Sequence, residues 1–187
     1  MSKSIQWIFV LISGLFFYLG FMLSGNFGWT VWIAPVPIIY ISLRVNPREA
    51  FLLSFIAYLI GRMSWFSYLK SVLPIVPTIL FTILLPLIFG LIILGTRKIV
   101  LRSGHWFSVF AYPVLFTAFE YILFNFSRDG TVASIGYTQI NYLFLIQIAS
   151  LTGILGITFL ICFIPSVFAL AWYFKGEKKP FLRYFFF

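Results

Sequence analysis

Charge is what this chain has least of. Only 9% of its 187 residues are charged, against about 25% in soluble domains. Acids are the scarcest, four against 13 lysines and arginines. With 62% hydrophobic residues and a mean hydropathy of +1.06, a water-soluble core could not hide so much apolar surface. The class expected is an integral membrane protein. Cysteine occurs once, as Cys162, which excludes an intrachain disulfide. It lies in an apolar run, without the electropositive, accessible surroundings of a reactive thiol, and reads as a small apolar residue. Histidine also occurs once, as His105, which leaves no ligand set for zinc and no His-based triad. In a soluble protein the net charge of +9 would suggest nucleic acid. Here the basic residues sit in short clusters between apolar runs, which points to the cytoplasmic lipid surface, and no nucleic-acid partner is expected.

What is present is a succession of apolar runs. Residues 5–23 are long enough to span, too long for a signal-peptide core, and followed by no clean cleavage site. Residues 29–43 form a shorter run containing Pro35 and Pro37, which remove backbone donors and should break the helix, so this run should pack inside the bundle. Pro47 suits the first turn of the third span, residues 50–69, which carries Arg62. Residues 70–77 read as a proline-bearing turn. Residues 78–94 read as the fourth span, with Pro86 inside, and Arg97, Lys98 and Arg102 as a basic loop. The fifth span, 106–126, contains Pro113 and Glu120. The longest polar connection, 127–141, leads to a sixth apolar region, 145–174, bent at Pro165 and closed by Lys175, Lys178 and Lys179.

The fold class expected is therefore an all-α integral membrane bundle of about six transmembrane helices, several of them proline-broken. Residues 1–174 form the multi-span membrane domain. Residues 175–187 read as a basic cytoplasmic segment and the truncated start of a further span, because a seven-residue apolar tail cannot cross a bilayer. Orientation comes from lysine and arginine placement. A cytoplasmic N-terminus puts Lys3, Arg44, Arg48, Arg97, Lys98, Arg102, Lys175, Lys178, Lys179 and Arg183 inside, and only Lys70 and Arg128 outside. The 127–141 connection is then external.

Arg62 and Glu120 are the two clear intramembrane charges. At 1.5 Å per residue, Arg62 lies roughly 18 Å and Glu120 roughly 21 Å above the cytoplasmic ends of their spans. At that shared depth they are expected to form an ion pair or to line one polar cavity, as packing residues or on the substrate side. Tyr137 and Gln139 belong to a short Gly-Tyr-Thr-Gln stretch, which by itself reads as a glycine turn with an interfacial tyrosine. Gly153 and Gly156, with Ser150 and Thr152, give a small-residue face of the kind that packs helices closely.

Three stretches carry a resemblance. They are Phe119-Glu120-Tyr121, residues 133–139 ending in Gly136-Tyr137-Thr138-Gln139, and residues 145–160 with Gly153-Ile154-Leu155-Gly156-Ile157-Thr158-Phe159-Leu160. Together they resemble bacterial apolipoprotein N-acyltransferases, which show an acid–aromatic pair, a loop ending in Gly-Tyr-Ser/Thr-Gln and a Gly-x-x-Gly helix. The stretches 28–37 and 61–65 are similar more loosely. The resemblance implies an inner-membrane enzyme moving an acyl chain from a phospholipid, typically phosphatidylethanolamine, to the N-terminal amine of a diacylated lipoprotein. It implies a thioester intermediate on a cysteine in an external nitrilase-like domain, and no cofactor.

Under that resemblance the chain stops about where a seventh span would begin, and the nitrilase-like domain is missing. Cys162 does not correspond to the nucleophile, and Glu120 matches a membrane-domain acid. No catalytic residue carries over, and the chain alone is expected to be inactive. Glu120, Tyr137 and Gln139 would lie on the side facing the missing domain. Two other readings remain open from the sequence. One is a free-standing scaffold or subunit of a split acyltransferase. The other is a small transporter, suggested by intramembrane charge and broken helices, although no paired inverted halves are evident.

Overall fold

The computed structural model describes residues 2–127 and 130–176, and among these there is no β-strand. Helix α1 spans Lys3–Gly20. A 3₁₀ turn, Gly28–Trp32, leads to the short α2, Pro35–Ser42. Helix α3, Pro47–Arg62, continues through a 3₁₀ turn, Met63–Trp65, into α4, Phe66–Val72. Helix α5, Ile75–Ser103, is the longest at 29 residues. A 3₁₀ turn, Trp106–Phe110, enters α6, Ala111–Phe126. A further 3₁₀ turn, Ile135–Gln139, precedes α7, Leu143–Ile146, and α8, Ala149–Gly176.

Among the described residues, five stretches are long and apolar enough to cross a membrane: Lys3–Gly20, Pro47–Val72, Ile75–Ser103, Trp106–Phe126 and Ala149–Lys175. The second run, Gly28–Ser42, is shorter and packs inside the bundle as its prolines imply. Pro35 opens α2 and Pro37 lies in its first turn, where a missing N–H leaves no bond unmade. The run thus breaks before the prolines and α2 starts at them. Most of α2 is buried, including Pro35, Pro37, Ile38, Ile39 and Ile41.

Several boundaries differ from the expected ones. Lys70 belongs to α4 rather than to a turn, and Pro77 lies in the first turn of α5. Arg97, Lys98 and Arg102 continue α5 instead of forming a loop. A 29-residue helix is about 44 Å long, more than the roughly 30 Å hydrocarbon core, so its last turns carry cations beyond the lipid without ending the helix. The fifth span keeps its expected bounds, Trp106–Phe126, and Pro113 inside it falls in the first turn of α6. Of the expected terminal segment, residues 177–187 lie outside the described residues, as do Arg128 and Asp129 of the external connection.

Around the bundle α1 packs on α3, α3 on α5, α5 on α6, α6 on α8, α8 on α2, and α2 on α1. Lipid tails are as apolar as leucine, so packing between such helices rests on dispersion and close fit. The centre supplies both. Phe17, Tyr58 and Phe89 meet with ring centroids 5.1, 4.4 and 5.5 Å apart. At Gly61 a Cβ would approach the Phe17 Cβ to 2.5 Å, so α1 and α3 touch there because the residue is glycine.

Alternating helix direction gathers the connections at two ends. At one end Arg97 donates from Nη1 to the Ser42 carbonyl at 2.9 Å, and the Arg44 guanidinium lies 4.9 Å over Tyr40 and 5.5 Å over Tyr173. The other end holds residues 21–28, 63–74 and 130–142, with Trp65 Nε1 donating to the Phe21 carbonyl.

Candidate functional site

The second end is built around Glu120, in the penultimate turn of α6 and 2% exposed. A buried carboxyl needs donors, and three reach it. Its Oε2 accepts from Ser134 Oγ at 2.9 Å and from Thr158 Oγ1 of α8 at 2.6 Å. Its Oε1 accepts from the Ile135 N–H at 2.7 Å. Both hydroxyl protons are then used on the carboxyl. Ser134 also caps the 3₁₀ turn Ile135–Gln139, its Oγ accepting from the Gly136 N–H at 3.1 Å. One acid therefore fixes the start of the external turn and ties α6 to α8.

Gln139 fixes the other end of the same turn and is fully buried. Its Nε2 donates to the Gly28 carbonyl at 2.8 Å and to Thr138 Oγ1 at 2.8 Å. Its Oε1 accepts from Trp32 Nε1 at 3.0 Å. At Gly28 a Cβ would stand 1.8 Å from the Thr138 carbonyl oxygen, so the two backbones approach only because this residue is glycine. Asn141 adds a bond from Nδ2 to the Ser24 carbonyl at 2.9 Å. Tyr137, between the anchors, is 46% exposed, with its hydroxyl 2.7 Å from Thr131 Oγ1.

Arg62 stands apart from this network. It is 4% exposed, its guanidinium carbon lies 4.7 Å over Trp65 and 5.7 Å over Phe21, and its Nε has no hydrogen-bond partner. The expected Arg62–Glu120 ion pair does not form among the described residues. Both oxygens of Glu120 accept from donors of the turn and α8, while Arg62 stacks on Phe21, just after α1, and on Trp65, in the 3₁₀ turn after α3. Two cavities meet at Arg62, of about 250 and about 210 Å³. Both also touch Val132 and Ala133, just before the Glu120-anchored turn.

The structure thus brings Glu120 of α6 against the start of the turn that carries Tyr137 and Gln139 and leaves Arg62 beside it. Ser134, Thr158, Trp32 and Gly28 complete the site and were not singled out from the sequence as anchors. The glycine face of α8 also differs from expectation. Gly153 has φ 66° and ψ −177° with nothing within 4 Å of a Cβ, so it breaks the helix instead of packing it. At Gly156 a Cβ would fall 1.9 Å from Thr152 Oγ1, so this glycine makes room for the turn the break folds back.

Residues 13–167 match the family described as apolipoprotein N-acyltransferase N-terminal domain. The chain belongs to that family. An apolipoprotein N-acyltransferase of Geobacter metallireducens (strain ATCC 53774 / DSM 7210 / GS-15) is 29% identical over 164 residues. That alignment covers 83% of this chain and 31% of the relative's length. No solved structure matches the chain. Every anchor of the turn, from Gly28 to Thr158, falls within the apolipoprotein N-acyltransferase N-terminal domain, as does Arg62.

Proposed function

We propose that this chain is the membrane-embedded part of an apolipoprotein N-acyltransferase, acting in lipoprotein maturation. The observation that carries the reading is the family match over residues 13–167. In this reading the acyl donor is a membrane phospholipid and the acceptor the N-terminal amine of a diacylated lipoprotein. The bond-making groups belong to a nitrilase-like domain, and the described residues hold lipid and present a fixed surface to that domain. The burial of Cys162, with no exposed surface, supports leaving it out of the chemistry. The doubly anchored turn Ile135–Gln139 suits a docking surface, because its half-exposed Tyr137 is set on a backbone held at both ends. The chain sits in the bacterial inner membrane as a multi-pass protein with a cytoplasmic N-terminus, a reading supported by the cations gathered at one end.

The test has two arms. The purified chain, given phosphatidylethanolamine and a diacylated lipopeptide, should yield neither N-acylated peptide nor a thioester adduct. A chimera in which this chain replaces the corresponding segment of the Geobacter relative should N-acylate the peptide. A folded but inactive chimera would count against the reading. So would product from the chain alone that is lost with Cys162→Ala.

A further inference from the structure

We propose that Arg62 is the anion-binding residue of an amphiphile site, and that the group it takes is a phosphodiester. The surroundings of the guanidinium point there. The side chain is buried, its Nε is without a partner, and it faces two cavities. No carboxylate offsets it among the described residues. Glu120 directs both oxygens at three donors of the external turn and α8. Glu49, in the first turn of the same helix, is 13 positions away, about 20 Å along the axis. An uncompensated charge at membrane depth is costly, and residues of this kind mark ligand positions.

The stacking partners leave the hydrogen-bonding edge to be filled. Trp65 and Phe21 offer rings to the guanidinium, and Trp65 is itself tied to the Phe21 carbonyl. An arginine fork held in this way matches two oxygens of a phosphate. The larger cavity then specifies the groups attached to that phosphate. Beyond Arg62 its walls are largely apolar, with Leu69, Val72, Leu73, Phe81, Leu85 and Leu123. A free phosphate would leave that space unfilled, whereas a membrane lipid would place its headgroup on Arg62 and its chains along α4 and α5. Trp65 and Tyr68, which also line it, are residue types of a membrane interface. The proposal deepens the acyltransferase reading by naming the group that holds the donor's phosphate. It rests on that reading only for the lipid's being a substrate.

The test measures binding and not acyl transfer, so the two ideas fail separately. The full chain, delipidated in detergent, is titrated with dioleoyl-phosphatidylglycerol and with dioleoylglycerol, and adducts are counted by native mass spectrometry. The wild type should retain the phospholipid, Arg62→Gln should bind it at least tenfold more weakly, and Arg62→Lys should fall between. Dioleoylglycerol should bind weakly to all three. Competition by millimolar inorganic phosphate would make a water-borne phosphate the ligand and overturn the lipid as its source. Equal retention by Arg62→Gln, or equal binding of dioleoylglycerol, would overturn the site. Arg62→Gln should also melt at or above the wild-type temperature in lipid-free detergent, and phosphatidylglycerol should raise only the wild type. A variant melting well below wild type without lipid would make Arg62 a packing residue and end the proposal.

Discussion

Glu120 is held from two directions, by a backbone N–H and a hydroxyl of the external turn and by a hydroxyl of α8. The donors differ in what they tolerate. Hydroxyls rotate and can accept instead of donate, but the Ile135 N–H can only donate. Glu120→Gln keeps a carbonyl for that N–H and turns its amide toward the hydroxyls, so it should cost about 1 kcal/mol, the order of one net hydrogen bond. Glu120→Ala leaves the Ile135 N–H unpaired and one of the two hydroxyl protons without an acceptor, since Ser134 and Thr158, 3.2 Å apart, can bond each other, and should cost roughly 2–4 kcal/mol at the usual penalty for buried unsatisfied groups. The single cysteine supplies the measurement. Cys162 has no exposed surface, so a thiol-reactive fluorophore should report only unfolding. Midpoints should then rank wild type, Glu120→Gln and Glu120→Ala in that order, and equal midpoints for the two variants would refute the unequal roles of the donors. Glu120 was legible because charge is rare in so apolar a chain, whereas Tyr137 and Gln139 stood out only through the family resemblance. Ser134 was not, because a serine before a glycine turn most simply caps that turn, and Thr158 was not, because a hydroxyl in a membrane helix most simply bonds back to its own helix. Ser54 does this to the Ala50 carbonyl at 2.6 Å, and Thr82 to the Thr78 carbonyl at 2.7 Å. No local pattern separates a hydroxyl that bonds its own turn from one that bonds a distant acid.

Among the elements, the spans themselves could be read from hydropathy, but their ends could not. Hydropathy detects where lipid stops, and α5 continues past that point with Arg97, Lys98 and Arg102 still helical. In α8 the non-helical backbone lies at Gly153, a residue expected to form part of a close-packing face, while Pro165 lies inside the helix. Small-residue spacing and a helix break look alike in sequence, since both call for glycine, and only φ distinguishes them. This separation can be checked. The Gly153 conformation belongs to a region that is essentially glycine-only, so Gly153→Ala should cost roughly 1–3 kcal/mol despite the open space around it. It should lower the Cys162-detected midpoint. A packing glycine would behave differently. At Gly90 the added methyl meets the Phe51 ring at 2.8 Å, so Gly90→Ala should be partly rescued by Phe51→Ala, whereas no neighbour substitution should rescue Gly153→Ala.

For the whole molecule the deciding quantity is which end faces the cytoplasm. Alternation of the long helices separates the connections into two sets regardless of orientation. Charge breaks the tie, because Arg44, Arg48, Arg97, Lys98, Arg102 and Lys175 share one end while Lys70 lies at the other. Such a bias holds the basic end inside, so the Glu120-anchored turn should face outward. Two exposed positions report the two ends: Ser71, near the end of α4, and His105, just after α5. In a Cys162→Ala background, Ser71→Cys should react with a membrane-impermeant maleimide added to spheroplasts. His105→Cys should react only after permeabilisation. The reverse pattern would put the turn, Tyr137 and both cavities at the cytoplasmic surface. That outcome would leave the Glu120 and Gln139 anchors intact as structure. It would remove the external docking role proposed for them, because a domain working on exported lipoproteins has to meet the bundle on the outer side.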